Sequence, residues 1–187
     1  MGSVSGLLSI AIISLFSVAF TAPKTIYKTS SGQIRFISEA PLETITAQST
    51  ALKGILDTTK NTFAFSVPIV SFQGFNSPLQ QEHFYENYLE STEFPQATFS
   101  GKIIEVIDYS KPGIYKVRAK GILDVHGVKT ERIIKSTVEV KRNELIIQAS
   151  FTMTLQDYNI KIPRIVNQKI ASEILIEIEA TLKPDQI

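Results

Sequence analysis

The sequence predicts an all-β domain, a barrel or a sandwich, preceded by an export signal. Two observations carry the prediction of strands: apolar side chains recur at every second position in several segments, and short turn motifs separate those segments. The third observation is size, because 187 residues with 43% apolar content suffice for one domain with a single core.

About eight strands can be counted. Alternation is clearest over residues 63–67, 115–121, 145–155 and 174–182, and weaker over 32–39, 43–56, 98–107 and 129–141. The best of these segments run to about ten residues, which is long for a small sandwich and suits a barrel. The connections are short, as at Lys60-Asn61, Pro112-Gly113 and Arg142-Asn143, and short connections predict antiparallel neighbours.

One segment departs from alternation and predicts an amphipathic helix over residues 78–91. Ser77 is suited to cap it, Pro78 to occupy its first position, and Gln80 completes a capping-box spacing. On an ideal helix one arc is apolar, and we expect this face to pack against the sheet or over one barrel end. That arc comprises Phe84, Tyr85, Tyr88 and Leu89. A second short helical turn is predicted over 163–168.

Residues 1–22 are predicted to be a secretory signal peptide, followed by the domain over 23–187. Residues 7–22 are apolar or small and uncharged, with small residues before possible cleavage points after Ala19 or Ala22. The alternative is a membrane anchor, but the run is shorter than the roughly 20 residues that span a bilayer. We therefore expect a periplasmic or secreted protein with no stable membrane insertion after cleavage.

Composition argues against several function classes. The formal net charge of +1, from 19 basic and 18 acidic residues, gives no electrostatic footprint for nucleic acid. The absence of cysteine excludes disulfides, Cys-ligated zinc and thiol catalysis. The two histidines, His83 and His126, have no supporting ligand cluster, so no metal, cofactor or catalytic residue is predicted. His126-Gly127 is interpreted as a hydrogen-bonded turn.

The inward faces of the predicted strands are apolar and often aromatic, and two interpretations of them stay open. The side chains could be a packed core, or they could line a cavity that accepts a long hydrocarbon. The candidates assigned by alternation are Phe36, Phe63, Phe65, Phe99, Tyr115 and Phe151.

Four stretches together resemble the YceI-like family. They are QQEHFYENYLES (80–91), FPQATFSGKI (94–103), GILDVHGVK (121–129) and LQDYNIKIP (155–163), and the resemblance extends from about Thr25 to Lys183. It implies an eight-stranded, antiparallel, lipocalin-like barrel with an associated helix. It also implies binding of a polyisoprenoid or similar amphiphile inside the barrel, and export from the cytoplasm.

The resulting hypothesis is a protein that binds, sequesters or transports a polyisoprenoid-like or other long-chain lipid without catalysis. The predicted cavity lining also includes Phe84, Tyr88 and Tyr158. A polar headgroup is predicted to meet His83, Asn87 and Arg132 at the barrel mouth. The alternatives are an enzyme acting on a lipid-like substrate, favoured only by histidines near carboxylates, and a structural or interaction domain with a solid core. A homodimer is left open.

Overall fold

In the computed structural model, which describes residues 25–185, eight antiparallel strands close into a barrel in sequence order. The strands are β1 (Ile26–Glu39), β2 (Thr44–Asp57), β3 (Thr62–Pro68), β4 (Gln96–Ile103), β5 (Gly113–Val125), β6 (Val128–Val140), β7 (Leu145–Thr154) and β8 (Glu173–Pro184). β8 pairs with β1 and closes the barrel. The expected eight-stranded barrel is confirmed, whereas the predicted signal peptide, residues 1–22, lies outside the described residues.

Side-chain alternation builds the wall of the barrel. In β2, Ile45, Ala47 and Ser49 point inward and are buried, and the phase then slips so that Leu52 and Leu56 are the buried positions. The slip matches shifts in the β1–β2 register on both sides of the Gly32–Leu52 pair. Such a bulge bends the strands and increases their twist, which helps the sheet to close.

Because consecutive strands are antiparallel, successive connections lie at alternate ends of the barrel. The upper end carries the connections 40–43, 69–95, 126–127 and 155–172. The lower end carries the shorter connections 58–61, 104–112 and 141–144, together with the start of β1 and the end of β8. The long upper connections therefore provide the material that can cover one barrel opening.

The lower half of the barrel is a packed core. Leu56, Leu145 and Leu182 have no exposed surface, and Val138 is almost as deeply buried. Each lies near the lower end of its strand, so these side chains fill the lower part of the barrel interior.

Two glycines allow β4 and β5 to approach closely. Gly101 and Gly121 are directly opposite in the register. A Cβ atom on Gly101 would lie 2.1 Å from the carbonyl oxygen of Lys120, and a Cβ on Gly121 would lie 2.3 Å from that of Ser100. Neither distance is compatible with a side chain, so glycine is required at both positions.

A short helix, α1 (Pro78–His83), lies in the 69–95 connection, and its start is as predicted. The Ser77 hydroxyl oxygen accepts a hydrogen bond from the Gln80 backbone nitrogen at 3.2 Å. After α1, residues Phe84–Tyr88 form one π-helical turn, in which the Leu89 nitrogen donates to the Phe84 carbonyl oxygen at 3.0 Å. The expectation of a regular helix to residue 91 was wrong, because the backbone hydrogen bonds change from α-helical to π-helical spacing after His83 and the helical segment ends at Tyr88.

A second helical turn lies in the connection between β7 and β8. The short turn predicted after Pro163 is present as a 3-10 turn, Arg164–Val166. In residues 25–185 no helix has the length and apolar character needed to cross a bilayer.

The wall between β6 and β7 changes character halfway up. The backbone ladder runs from Val140–Leu145 to Ser136–Ala149. Above this point one side-chain hydrogen bond joins the two strands: the Arg132 guanidinium donates to the carbonyl oxygen of Thr152 at 2.9 Å. We call this upper stretch, residues 130–135 and 150–154, the side-chain seam.

Candidate functional site

The upper half of the barrel encloses a cavity of about 510 Å³. This volume falls within the usual scale of small-molecule sites, about 300–1,000 Å³. Most of the lining is aliphatic or aromatic and comes from the strands, the helical segment and the β7–β8 connection. Its aliphatic members include Ile34, Ile45, Leu52, Leu123, Ile134, Met153, Leu155, Ile174, Ile176 and Ile178. The cavity reaches the surface at the upper end, where exposed residues such as Leu79, His83 and Lys169 border it.

An aromatic cluster holds the helical segment on the barrel. The Phe84 ring packs against the rings of Phe36 and Phe75, with centroid distances of 5.2 and 5.0 Å, and Phe72 lies 5.7 Å away. All four rings border the cavity. Aromatic pairs at these distances stabilise beyond simple burial, so the cluster both anchors the segment and forms one wall of the cavity.

The cavity brings together six of the nine aromatic residues that the sequence analysis placed in its lining. They are Phe36, Phe65, Phe84, Tyr88, Phe99 and Phe151. Burial raises the pKa of the Tyr88 phenol, so this group stays protonated near neutral pH.

The other three aromatic candidates lie elsewhere. Phe63 points inward one level below the cavity, with its ring 5.0 Å from that of Phe99. The Tyr115 hydroxyl donates to the carbonyl oxygen of Asp108, at 3.1 Å, near the lower end. Tyr158 is fully buried, and its hydroxyl shares a 2.7 Å hydrogen bond with that of Thr130.

Of the three residues predicted to meet a headgroup, His83 borders the cavity mouth. Asn87 is exposed on the helical segment and is not part of the lining. Arg132 is likewise absent from the lining, and its guanidinium is used in the side-chain seam.

Sequence reasoning missed two charged residues at the mouth, Glu43 and Lys169. Asn76 and Gln80 each donate a side-chain hydrogen bond to one Glu43 carboxylate oxygen at 3.0 Å. These bonds, with the charge of Lys169, hold the pKa of Glu43 below its usual value. No local motif marks either residue, because the partners are 33 and 37 positions away from Glu43 in the sequence.

The aliphatic lining was also missed, although a signal for it existed. Met153, Ile174 and Ile176 belong to the alternating inward faces of β7 and β8. The sequence analysis selected aromatic members of such faces, and aliphatic members on the same faces are equally able to line a cavity.

His126 is the hydrogen-bonded turn residue that the sequence predicted. His126 and Gly127 have φ angles of 53° and 72°, which suits the two-residue hairpin between β5 and β6. Nδ1 donates to the Tyr158 carbonyl oxygen at 3.0 Å, and Nε2 lies 2.6 Å from a Glu90 carboxylate oxygen. His126 thereby ties together the upper connections 69–95 and 155–172. Over the described part of the chain, no cluster of three or more potential metal ligands occurs.

Comparison with known proteins agrees with this architecture. The chain matches the family described as YceI-like domain over residues 18–182. No curated protein matches the sequence.

Several solved structures share the fold at low sequence identity. A polyisoprenoid binding domain from Saccharophagus degradans, implicated in plant cell wall breakdown, has a TM-score of 0.72 at 13% identity, covering 86% of this chain and 99% of that one. BcnA of Burkholderia cenocepacia has a TM-score of 0.66 at 14% identity, covering 81% of this chain and 95% of its own. A Campylobacter jejuni YCEI protein has a TM-score of 0.56 at 12% identity, covering 99% and 92%.

The similarity to these structures concerns the fold alone, whereas the family match extends over most of the sequence. Within residues 25–185, the closed eight-stranded barrel and the one short α-helix agree with that match. This chain belongs to the YceI-like domain family.

Proposed function

We propose that this protein binds a long-chain lipid, of polyisoprenoid type, in the upper cavity and sequesters or carries it without altering it chemically. The observation that carries the proposal is the contrast between the two halves of the barrel. Leucine and valine side chains fill the lower half, while the apolar walls of the upper half enclose about 510 Å³. A solid-core structural domain would not be expected to leave such a space.

The apolar lining favours a hydrocarbon on energetic grounds. Each methylene moved from water to such a lining contributes about 0.8 kcal/mol. A segment of about ten methylenes therefore gains roughly 8 kcal/mol before the cost of immobilisation, which is several kcal/mol. Longer or branched chains gain more, so tight binding needs few polar contacts.

The two ends of the cavity suggest how the ligand is oriented. Because the lower half is filled and the mouth is at the upper end, we place the hydrocarbon downward and the polar end at the mouth. There it would meet Glu43, His83 and Lys169, which are charged or titratable side chains of the lining. The six lining aromatics remain proposed contacts of the hydrocarbon.

The five remaining predicted site residues have a weaker place in this proposal. Phe63 supports the cavity floor, and Tyr115 and Tyr158 have hydrogen-bond partners outside the lining. Asn87 and Arg132 could meet a headgroup only after leaving their present positions.

Family membership and one neighbour support the proposal. The Saccharophagus degradans domain is described as polyisoprenoid binding. We also propose that the protein acts in the periplasm or outside the cell, after removal of residues 1–19 or 1–22. The mass of the mature protein, purified from an exporting host, tests the cleavage: an intact leader would contradict this part of the proposal.

The binding proposal is tested with a pair of matched variants. Ala97 faces the cavity on β4, while Ala64 lies on β3 with its side chain exposed on the outer face. Ala97→Phe places a ring in the cavity, and Ala64→Phe places the same ring outside. The ring would displace at least two methylenes of ligand, so affinity should fall by about tenfold or more in Ala97→Phe only.

The measurement combines lipid extraction and binding. Organic extraction of the purified wild type, followed by mass spectrometry, should release lipid in a stoichiometric ratio to protein. Titration of delipidated protein with a polyprenol should then separate the two variants. A lipid-free extract together with no uptake of polyprenol, or equal uptake by both variants, would overturn the proposal.

A further inference from the structure

The mouth of the cavity carries exposed aliphatic side chains on three separate connections. Leu42, Leu79 and Ile165 are 67%, 58% and 91% exposed. Leu42 lies between β1 and β2, Leu79 on α1, and Ile165 in the 3-10 turn between β7 and β8. These aliphatic side chains lie on the connections that surround the opening of the apolar cavity, and exposed apolar surface continuous with a cavity is a candidate binding surface.

Hydrogen bonds hold these three connections together. The Leu42 nitrogen donates to the Gln168 carbonyl oxygen at 2.9 Å, which joins the first connection to the third. The Gln80 side chain donates to a Glu43 carboxylate oxygen at 3.0 Å, which joins α1 to the 40–43 connection. We call this surface, formed by 40–43, 77–80 and 161–169, the rim.

The 161–169 part of the rim is basic, and we call it the basic turn. Lys161, Arg164 and Lys169 are exposed, and the sequence contains no acidic residue between Asp157 and Glu173. Because the whole chain has a formal charge of only +1, these three positive charges are a local concentration.

Three acidic residues on the neighbouring connections lie outside the 161–169 segment. Glu43 is held by Asn76 and Gln80. Glu82 and Glu86, on the helical segment, do not line the cavity, in contrast to their neighbours His83 and Phe84. The basic turn itself carries three positive charges and no carboxylate, and it adjoins Leu42 through the hydrogen bond from the Leu42 nitrogen to the Gln168 carbonyl oxygen.

We propose that the rim docks onto a lipid bilayer that contains anionic lipids, with the basic turn on the headgroups and the aliphatic side chains in the interface. The charge complementarity and the aliphatic side chains together match the chemistry of peripheral membrane binding. Leu79 belongs to both the rim and the cavity lining, so the apolar surface is continuous from the interface into the barrel. This inference rests on the proposed function, because docking in this orientation would let a lipid enter without crossing water.

The electrostatic part is tested by flotation with vesicles of phosphatidylcholine, with and without phosphatidylglycerol. The wild type should float with the phosphatidylglycerol vesicles, and less so at high salt. Lys161→Gln combined with Arg164→Gln should lower partitioning by roughly 20- to 30-fold, since each basic residue near an anionic surface contributes about fivefold. The control is Lys116→Gln with Lys135→Gln, which removes the same charge from the outer wall of the barrel.

The apolar part has a closely matched control. Ile165 and Val106 are both 91% exposed, but Ile165 lies at the upper end and Val106 at the lower end. Ile165→Ser should weaken vesicle binding, whereas Val106→Ser should not. Because both side chains are exposed, neither change should disturb folding.

Three outcomes would overturn the proposal: no flotation of the wild type, equal loss in rim and control variants, or a dimer in sedimentation velocity that Ile165→Ser disrupts. The last would assign the rim to a second copy of the chain. Uptake of a polyprenol added from ethanol, without vesicles, separates this inference from the proposed function. Rim variants that load normally but do not float support both, whereas a wild type that floats but never loads supports docking and contradicts lipid carriage.

Discussion

The attachment of the helical segment to the barrel can be tested by removing one ring. Phe84→Ala deletes the side chain at the centre of the aromatic cluster, where it contacts Phe36, Phe72 and Phe75. We expect residues 78–89 to open more readily, because these rings are the main apolar anchor of the segment.

The magnitude follows from the contacts. Three aromatic pairs at about 0.5–1.5 kcal/mol each suggest roughly 2–4 kcal/mol. A fully buried Phe→Ala change costs about 3–5 kcal/mol. Because Phe84 is only partly buried, the smaller estimate of roughly 2–4 kcal/mol applies. For a protein of this size, each kcal/mol of global destabilisation lowers Tm by about 2–4 °C, which gives a decrease of roughly 4–16 °C if the segment and barrel unfold together.

Two measurements separate local from global opening. Amide hydrogen exchange reports the opening of residues 78–89, and thermal unfolding reports the barrel. Ile114→Ala is the control, because Ile114 is largely exposed at the lower end and its truncation should change neither. A loss below about 1 kcal/mol in both measurements would refute the anchoring role, since it is less than a single strong aromatic contact.

Three further predictions concern other contacts. Gly101→Ala should destabilise the barrel by more than about 2 kcal/mol in urea unfolding, because its Cβ would collide with the backbone of β5; a neutral result would contradict the close approach. The pKa of Glu43 is lowered in the folded protein, so its stabilising contribution is complete above the ordinary carboxyl pKa and is lost as pH falls through the lowered value. Exchange of residues 76–80 should therefore accelerate in acid, and Glu43→Gln should remove that dependence. His126→Gln should cost about 1–3 kcal/mol through its bonds to Glu90 and Tyr158, and non-additivity with Glu90→Gln in a double-mutant cycle measures the pair.

Strand positions could be predicted from the sequence because each inward face repeats at the same period in the chain and in the sheet. The start of α1 was predictable for a similar reason, since Ser77, Pro78 and Gln80 act within one turn. The π-helical turn was not, because no residue type within 84–88 marks a change of backbone hydrogen-bond spacing.

The cavity was harder to predict, because alternation tells which way a side chain points but not what lies opposite. Phe63 and Phe65 share a strand and a face, yet only Phe65 borders the cavity. Tyr115 also lies on an inward face, but in the filled lower half. Arg132 shows a further limit of alternation. Its guanidinium bonds the Thr152 carbonyl oxygen on the neighbouring strand, and the pattern of residues along β6 does not predict such a contact.

The side-chain seam between β6 and β7 affects how the barrel responds to its contents. Where a backbone ladder joins two strands, a wider interior would require its hydrogen bonds to break, whereas here the strands can separate by side-chain rotamer changes and loss of the bond from Arg132 to Thr152. Ile134 and Phe151 stand on its two edges and face the interior. A thick or branched ligand of the proposed kind would therefore meet, on this side, a wall that can widen through side-chain torsions without loss of backbone ladder hydrogen bonds.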